Sequence, residues 1–230
     1  MSGGPHRRST SRRKASPQLG GTGRLADDLY LMSHHEVSGK PHLHPRAIGL
    51  GLAGALLAEL VLLGKLCIRP GVVIVADPTP PAEELASLVL GLVQNEREQH
   101  TAQVWLLYLA RTATEDVAQR LAKSGYLARV SARRPWSSER WAPVDPDCAF
   151  TPLVRILPAL DSSRPLTADG TALAGLAAAC GLSPRMLLYA PPKATRRNLD
   201  EVVAQLGPDL RHLIAETQAA VDSALLSHRV

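Results

Sequence analysis

The residues best suited to hold an anion lie between 129 and 141, where Arg129, Arg133, Arg134 and Arg140 interleave with Trp136 and Trp141. On a hairpin alternate residues share a face, so several guanidiniums can converge on one phosphate while Trp sits at an apolar boundary. A solvated edge strand protected by charge has the same composition, and single-stranded nucleic acid would want similar chemistry. A second group, His34, His35, Glu36, His42 and His44, has metal-binding residue types. Neither HExxH nor a Cys pair accompanies it, so a polar loop is the plainer account and no metal is expected. Gly49-Leu50-Gly51-Leu52-Ala53-Gly54 matches GxGxxG, with Asp77 further on at the end of a strand-like run. A dinucleotide site needs a buried strand before the first glycine, and His42-Leu43-His44-Pro45-Arg46 stands there instead. Small residues that let helices approach closely explain the same letters. There is no GxSxG and no Walker A loop. No catalysis and no cofactor are expected.

The elements that must carry these residues read as mostly helical. Leu25, Leu29 and Met32 share a helical face over 25–33, with Asp27 and Asp28 near the start, where the helix dipole favours acids. An apolar helix begins near Pro45 and runs to Leu63, with Gly64 as its stop. Its core, 47–63, is shorter than the roughly 20 residues a bilayer span requires. It also contains Glu59 and three glycines, which predicts a buried core helix. Leu66 to Ile68 and Val72 to Val75 flank a turn and predict a hairpin. Helices are expected over 82–93, 104–111 and 116–123, the last ended by Ser124-Gly125. A second, basic hairpin is expected from 127–130, 132–136 and 139–144. After Pro152, helical pieces follow over 153–160, 168–180, 184–189 and 195–206, and from Asp209 to the end.

Composition agrees with that class. The chain has 230 residues, 45% hydrophobic but only 3% aromatic, and Leu and Ala abound. That favours aliphatic helix packing over a β-sandwich. The expected fold is a mainly α, single multi-helix domain over 25–230 with two short β-hairpins, preceded by a disordered basic arm over 1–24. The arm holds Arg7, Arg8, Arg12, Arg13, Lys14 and Arg24 and no acid, so against a net charge of +5 the remainder is −1. Its Gly- and Ser-rich, polar character cannot offset the entropy of ordering. It lacks an apolar core, which argues against a secretory signal, while a transit peptide has a similar composition and stays open. Cys67, Cys148 and Cys180 are odd in number and widely spaced. That predicts a reducing, cytoplasmic setting.

Four stretches, taken in order, resemble a known family. They are Leu25-Ala-Asp-Asp-Leu-Tyr-Leu-Met32, Gly51-Leu-Ala-Gly-Ala-Leu-Leu-Ala-Glu-Leu60 with Gly64-Lys65-Leu66, Val75-Ala-Asp-Pro-Thr-Pro80, and Leu121-Ala-Lys-Ser-Gly-Tyr-Leu127. They are similar to the opening helix, the GALLxELxLxG(K/R) helix, the DPTPTG connector and the LxxxGxL helix end of the Golgi phosphoprotein 3 family, whose bacterial members share the domain. The resemblance implies a helical domain that binds phosphatidylinositol 4-phosphate in a shallow basic pocket and docks peripherally on a membrane. In eukaryotic members the site of docking is the cytoplasmic face of the Golgi. There the protein also grips cytoplasmic tails of glycosyltransferases, and its basic arm contacts coat proteins.

Carried over by position, the family's pocket Trp falls at His44, an Arg of the next helix at Ala53, and a pair of Arg residues at Arg111 and Thr114. Only Arg111 keeps its type. Arg46 and the hairpin's Arg133 or Arg134 are the expected substitutes, and the arm adds long-range attraction to an anionic phospholipid membrane. The expected function is therefore a non-enzymatic peripheral membrane adaptor, with tails of membrane enzymes as further partners and self-association through the hairpin edges left open. Nucleic acid is not the expected partner. The alternatives are a nucleic-acid or protein-binding module using the arm and hairpin, and a nucleotide-dependent enzyme built on the glycine motif.

Overall fold

Helix α2, Pro45–Leu62, is the axle of the molecule, and its sequence explains why. Its first turn is set by Pro45 at the opening position and by His44 Nδ1, which accepts from the Arg46 N–H at 3.3 Å. From Ala47 to Leu60 every residue is buried, so α2 is apolar all round because other helices surround it. The computed structural model describes residues 21–130, 140–161, 166–190 and 196–227. By length and composition α2 is apolar enough to cross a membrane, yet 78% of it is buried inside the fold.

Around α2 pack α1 (Leu25–Ser33), α4 (Ala102–Leu109), α5 (Ala113–Lys123), α7 (Ala168–Ala179) and α10 (Pro208–Leu226), with α3 (Glu84–Asn95) against one side. The remaining helices are α6 (Pro146–Ile156), α8 (Ser183–Tyr189) and α9 (Arg196–Val203). The glycines of α2 are where neighbours come closest. A Cβ on Gly54 would lie 2.6 Å from Thr217 Oγ1 of α10, and one on Gly49 would lie 2.8 Å from the Ala110 carbonyl. One on Gly51 would overlap Cys180 Sγ. The GxGxxG letters therefore sit inside a helix, as close-packing positions, and not in a strand–turn–helix cradle.

Two antiparallel hairpins complete the fold. Strands β1 (Leu66–Arg69) and β2 (Val72–Val75) pair Leu66 with Val75 and Arg69 with Val72. Strands β3 (Leu127–Val130) and β4 (Arg140–Pro143) pair Leu127 with Pro143 and Val130 with Arg140. The middle run expected for the second hairpin, with Arg133, Arg134 and Trp136, lies outside the described residues.

Two expectations change. Helix α6 starts at Pro146, capped by Asp145 Oδ1 accepting from the Asp147 N–H at 2.9 Å, and ends in a 3-10 turn over Leu157–Asp161. Pro152 does not open it but lies within it. Asp27 and Asp28 stand in the first turn of α1, and they are buried with the rest of that helix. Finally, Gly21 to Arg24, read with the arm, are described and fastened. Both the N–H and the hydroxyl of Thr22 donate to Asp28 Oδ1, at 2.8 and 2.9 Å.

Candidate functional site

Arg46 lies in the first turn of α2 and Arg111 two residues past the end of α4, and the two line one cavity of about 470 Å³. The volume falls in the roughly 300–1,000 Å³ range of small-ligand pockets. Leu50, Leu107, Ala110 and Ala220 give the cavity an apolar floor, while Gln103, Ser223 and Ser227 offer an amide and two hydroxyls. No described carboxylate lines it. Two guanidiniums with hydroxyl donors and no competing acid suit a phosphate or carboxylate, not a cation. The resemblance suggested each Arg separately, but only α2, α4 and α10 packing together bring them to one hollow.

The other expected residues are placed differently. His44 is consumed as the α2 cap and does not line the cavity. Ala53, at the position of a family Arg, is fully buried. Arg129 approaches Glu115 Oε1 at 3.9 Å and lies over the Trp141 ring at 4.8 Å, while Trp141 Nε1 donates to Glu115 Oε2 at 3.2 Å. The described part of the second hairpin thus docks on the first turn of α5 and contributes nothing to the cavity. Among the described residues, the arginine that shares this cavity with Arg111 is Arg46.

Within the histidine group, His34, His35 and Glu36 are absorbed by local structure. His34 Nδ1 donates to the Tyr30 carbonyl at 2.8 Å, its ring stacks on Tyr30 at 4.1 Å, and burial pushes its pKa down to about 4. His35 Nδ1 accepts from the N–H groups of Val37 and Ser38, and Glu36 pairs with Arg185 at 3.1 Å. Among the described residues no three of His, Cys, Asp and Glu gather as a metal-binding set.

The four motif stretches prove to be joints of this architecture. Lys65, after the Gly64 that ends α2, pairs with Asp77 of the connector, and its carbonyl accepts from the Ala76 N–H at 2.8 Å. Asp77 Oδ1 in turn accepts from the Thr79 N–H at 2.8 Å. Gly125, at φ +81°, ends α5 so that the Tyr126 N–H reaches the Leu121 carbonyl at 2.9 Å and β3 can begin. A family model described as Golgi phosphoprotein 3 (GPP34) matches residues 25–217. The chain belongs to the Golgi phosphoprotein 3 family. Comparison with curated proteins finds no match. The match to the Golgi phosphoprotein 3 model takes in Arg46 and Arg111 and stops before Ala220, Ser223 and Ser227, so the α10 wall of the cavity is outside the matched range.

Within this Golgi phosphoprotein 3 domain the described residues include a polar constellation that sequence reasoning missed. Arg120 of α5 is buried and meets three carboxylates. They are Asp27 of α1 at 2.7 Å, Glu59 of α2 at 3.2 Å and Glu83, the cap of α3, at 3.0 Å. Glu59 Oε1 also accepts from the Ala26 N–H at 2.9 Å, and Glu83 accepts from the N–H groups of Leu85 and Ala86. Burial raises the Asp27 pKa to about 7, outweighing Arg120 because one guanidinium is shared among three acids. The signal was present in Glu59 standing alone in an apolar run, since an acid there must find a buried partner. This cluster is a structural knot whose residues line neither of the cavities at Arg69/Asp209 and at Arg46/Arg111.

Proposed function

We propose that the protein is a non-enzymatic peripheral membrane adaptor that holds the phosphate of an anionic phospholipid between Arg46 and Arg111. The observation that carries this reading is their convergence on one cavity with two serine hydroxyls and no lining carboxylate. Family membership supports it and points to phosphatidylinositol 4-phosphate as the first lipid to test. Arg133 and Arg134 would add charge from the hairpin. The basic residues Arg7, Arg8, Arg12, Arg13 and Lys14 would add about 1 kcal/mol each near an anionic surface, screened as salt rises. His44 serves the site indirectly, by fixing the helix turn that carries Arg46. In this reading the protein works in the cytoplasm, on the cytoplasmic face of a membrane, with tails of membrane enzymes as its clients.

Vesicle flotation with and without phosphatidylinositol 4-phosphate tests the proposal. Replacing Arg46 and Arg111 together by Gln removes charge-assisted hydrogen bonds of about 1.5–3 kcal/mol each, so binding should fall by at least tenfold while deletion of 1–20 lowers it less. Loss of binding on deletion alone, with the double variant unaffected, would mean a polycation and no pocket. Equal affinity for DNA and for vesicles would favour a nucleic-acid-binding module.

A further inference from the structure

Helix α4 turns a wide apolar side to solvent. Its inner face buries Ala102, Trp105, Leu106 and Leu109. Its outer face shows Val104 at 44%, Leu107 at 54% and Tyr108 at 49% exposure. From Ala102 to Ala110 there is no Asp, Glu, Lys or Arg, and the first charge after them is Arg111. Positions 104, 107, 108 and 111 follow the i, i+3, i+4, i+7 spacing of a single helical stripe. Helix α5, which follows at once, shows what water requires: its outer face carries Glu115, Gln119 and Lys123. A helix apolar all round belongs in a core or against an apolar medium, and half of α4 is not in the core.

We propose that this stripe is a membrane-insertion surface: Val104, Leu107 and Tyr108 enter the boundary between headgroups and acyl chains of an anionic bilayer, beside the phosphate held by Arg46 and Arg111. The proposal rests on the function proposed above and adds what orients the domain on the bilayer. Charge complementarity selects the occupant. Leu107 belongs both to the stripe and to the cavity wall, so the apolar surface runs directly into the two guanidiniums. An anionic lipid presents the same sequence, acyl chain and then phosphate. Two copies meeting through this face about a two-fold axis would bring the cationic cavities toward each other, with no described acid lining them. Tyr108, edge-on to Trp105 at 6.0 Å, offers an amphipathic ring suited to the headgroup level.

The test uses the full chain with Cys67→Ser and Cys148→Ser, and Leu107→Cys carrying an environment-sensitive nitrobenzoxadiazole label. The expected result is a blue shift and quenching by brominated acyl chains on vesicles of phosphatidylcholine with phosphatidylinositol 4-phosphate, and neither on phosphatidylcholine alone. Leu107→Ser with Tyr108→Ser should weaken flotation at least tenfold, since burying even one such side chain contributes about 1.5–3 kcal/mol. Leu188→Ser, which removes a leucine 76% exposed on α8, should leave flotation unchanged. Because all three substituted residues face outward, thermal melting should match the parent chain. A label that stays in water while the chain floats and Arg46→Gln/Arg111→Gln abolishes flotation overturns the insertion surface and keeps the headgroup site. Flotation insensitive to both pairs of substitutions overturns both. A change of oligomeric state in Leu107→Ser without vesicles makes the face a self-association surface and overturns the proposal, as does an equal loss in Leu188→Ser.

Discussion

Arg120 binds together three helices and the cap of a fourth through three carboxylates, and that unequal ratio fixes how the cluster responds to change. Removing the guanidinium leaves acids buried without a counter-charge, so Arg120→Met should cost about 3–5 kcal/mol. Denaturant unfolding monitored by circular dichroism measures it, and adding Asp27→Asn and Glu59→Gln should recover much of the loss. Asp27 itself gives a pH signature. Its folded pKa, about 7, lies above the ordinary 3.8. The folded state therefore holds a proton that the unfolded chain releases, and this contribution to stability is present at low pH and lost as pH rises from about 4 to 7. His34, lowered to about 4, works the other way, adding stability as pH rises through its own window up to 6.5. The melting difference between Asp27→Asn and the parent chain isolates the first effect. It should move in favour of the variant as pH increases, and a constant difference would refute the assignment. None of this was legible as a cluster, because its members stand up to 93 residues apart and only Glu59, set in an apolar run, carries a local sign of burial.

Helix α2 illustrates what local sequence can and cannot tell. Its span, its proline start and its buried character were all readable, since 3.6-residue patterning and caps are local properties. The identity of the groups packed on its glycines was not. Gly51→Ala would gain up to about 1 kcal/mol of helix propensity yet drive a methyl into Cys180 Sγ, and overpacking of this kind costs about 1–3 kcal/mol. The expected net effect is a lower melting temperature, reversed when Cys180→Ala makes room; a double-mutant cycle with no coupling would show that the contact is unimportant. The α6 boundary was misplaced because Pro152 was given the role of a helix opener, a role that Asp145 and Pro146 fill nearly two turns earlier. Candidate site residues divided along the same line. Arg111 and Arg46 were legible as residue types, Arg46 only as a substitute, while their common cavity depends on where α10 returns to the bundle.

For the molecule as a whole, the mainly helical class and the order of nearly all elements were legible, because Leu- and Ala-rich periodic segments separated by Gly and Pro leave few alternatives. Charge is divided just as plainly: the six basic residues over 1–24 outweigh the whole chain's net +5. Vesicle binding by the full chain should therefore fall steeply between about 0.05 and 0.5 M salt, and the 1–20 deletion should flatten that dependence without abolishing binding. Equal salt slopes for the two chains would contradict it.

The clasp of Thr22 on Asp28 carries a practical consequence. The Asp28 carboxylate also receives Arg155 from α6 at 2.8 Å, so the polypeptide leaving the bundle is moored at a fixed point. Limited trypsin digestion should cut after Lys14 and spare the next site, Arg24, which adjoins the Thr22 clasp. A recombinant version begun at residue 25 should melt below one begun at 21, having stripped a buried acid of two of its hydrogen bonds.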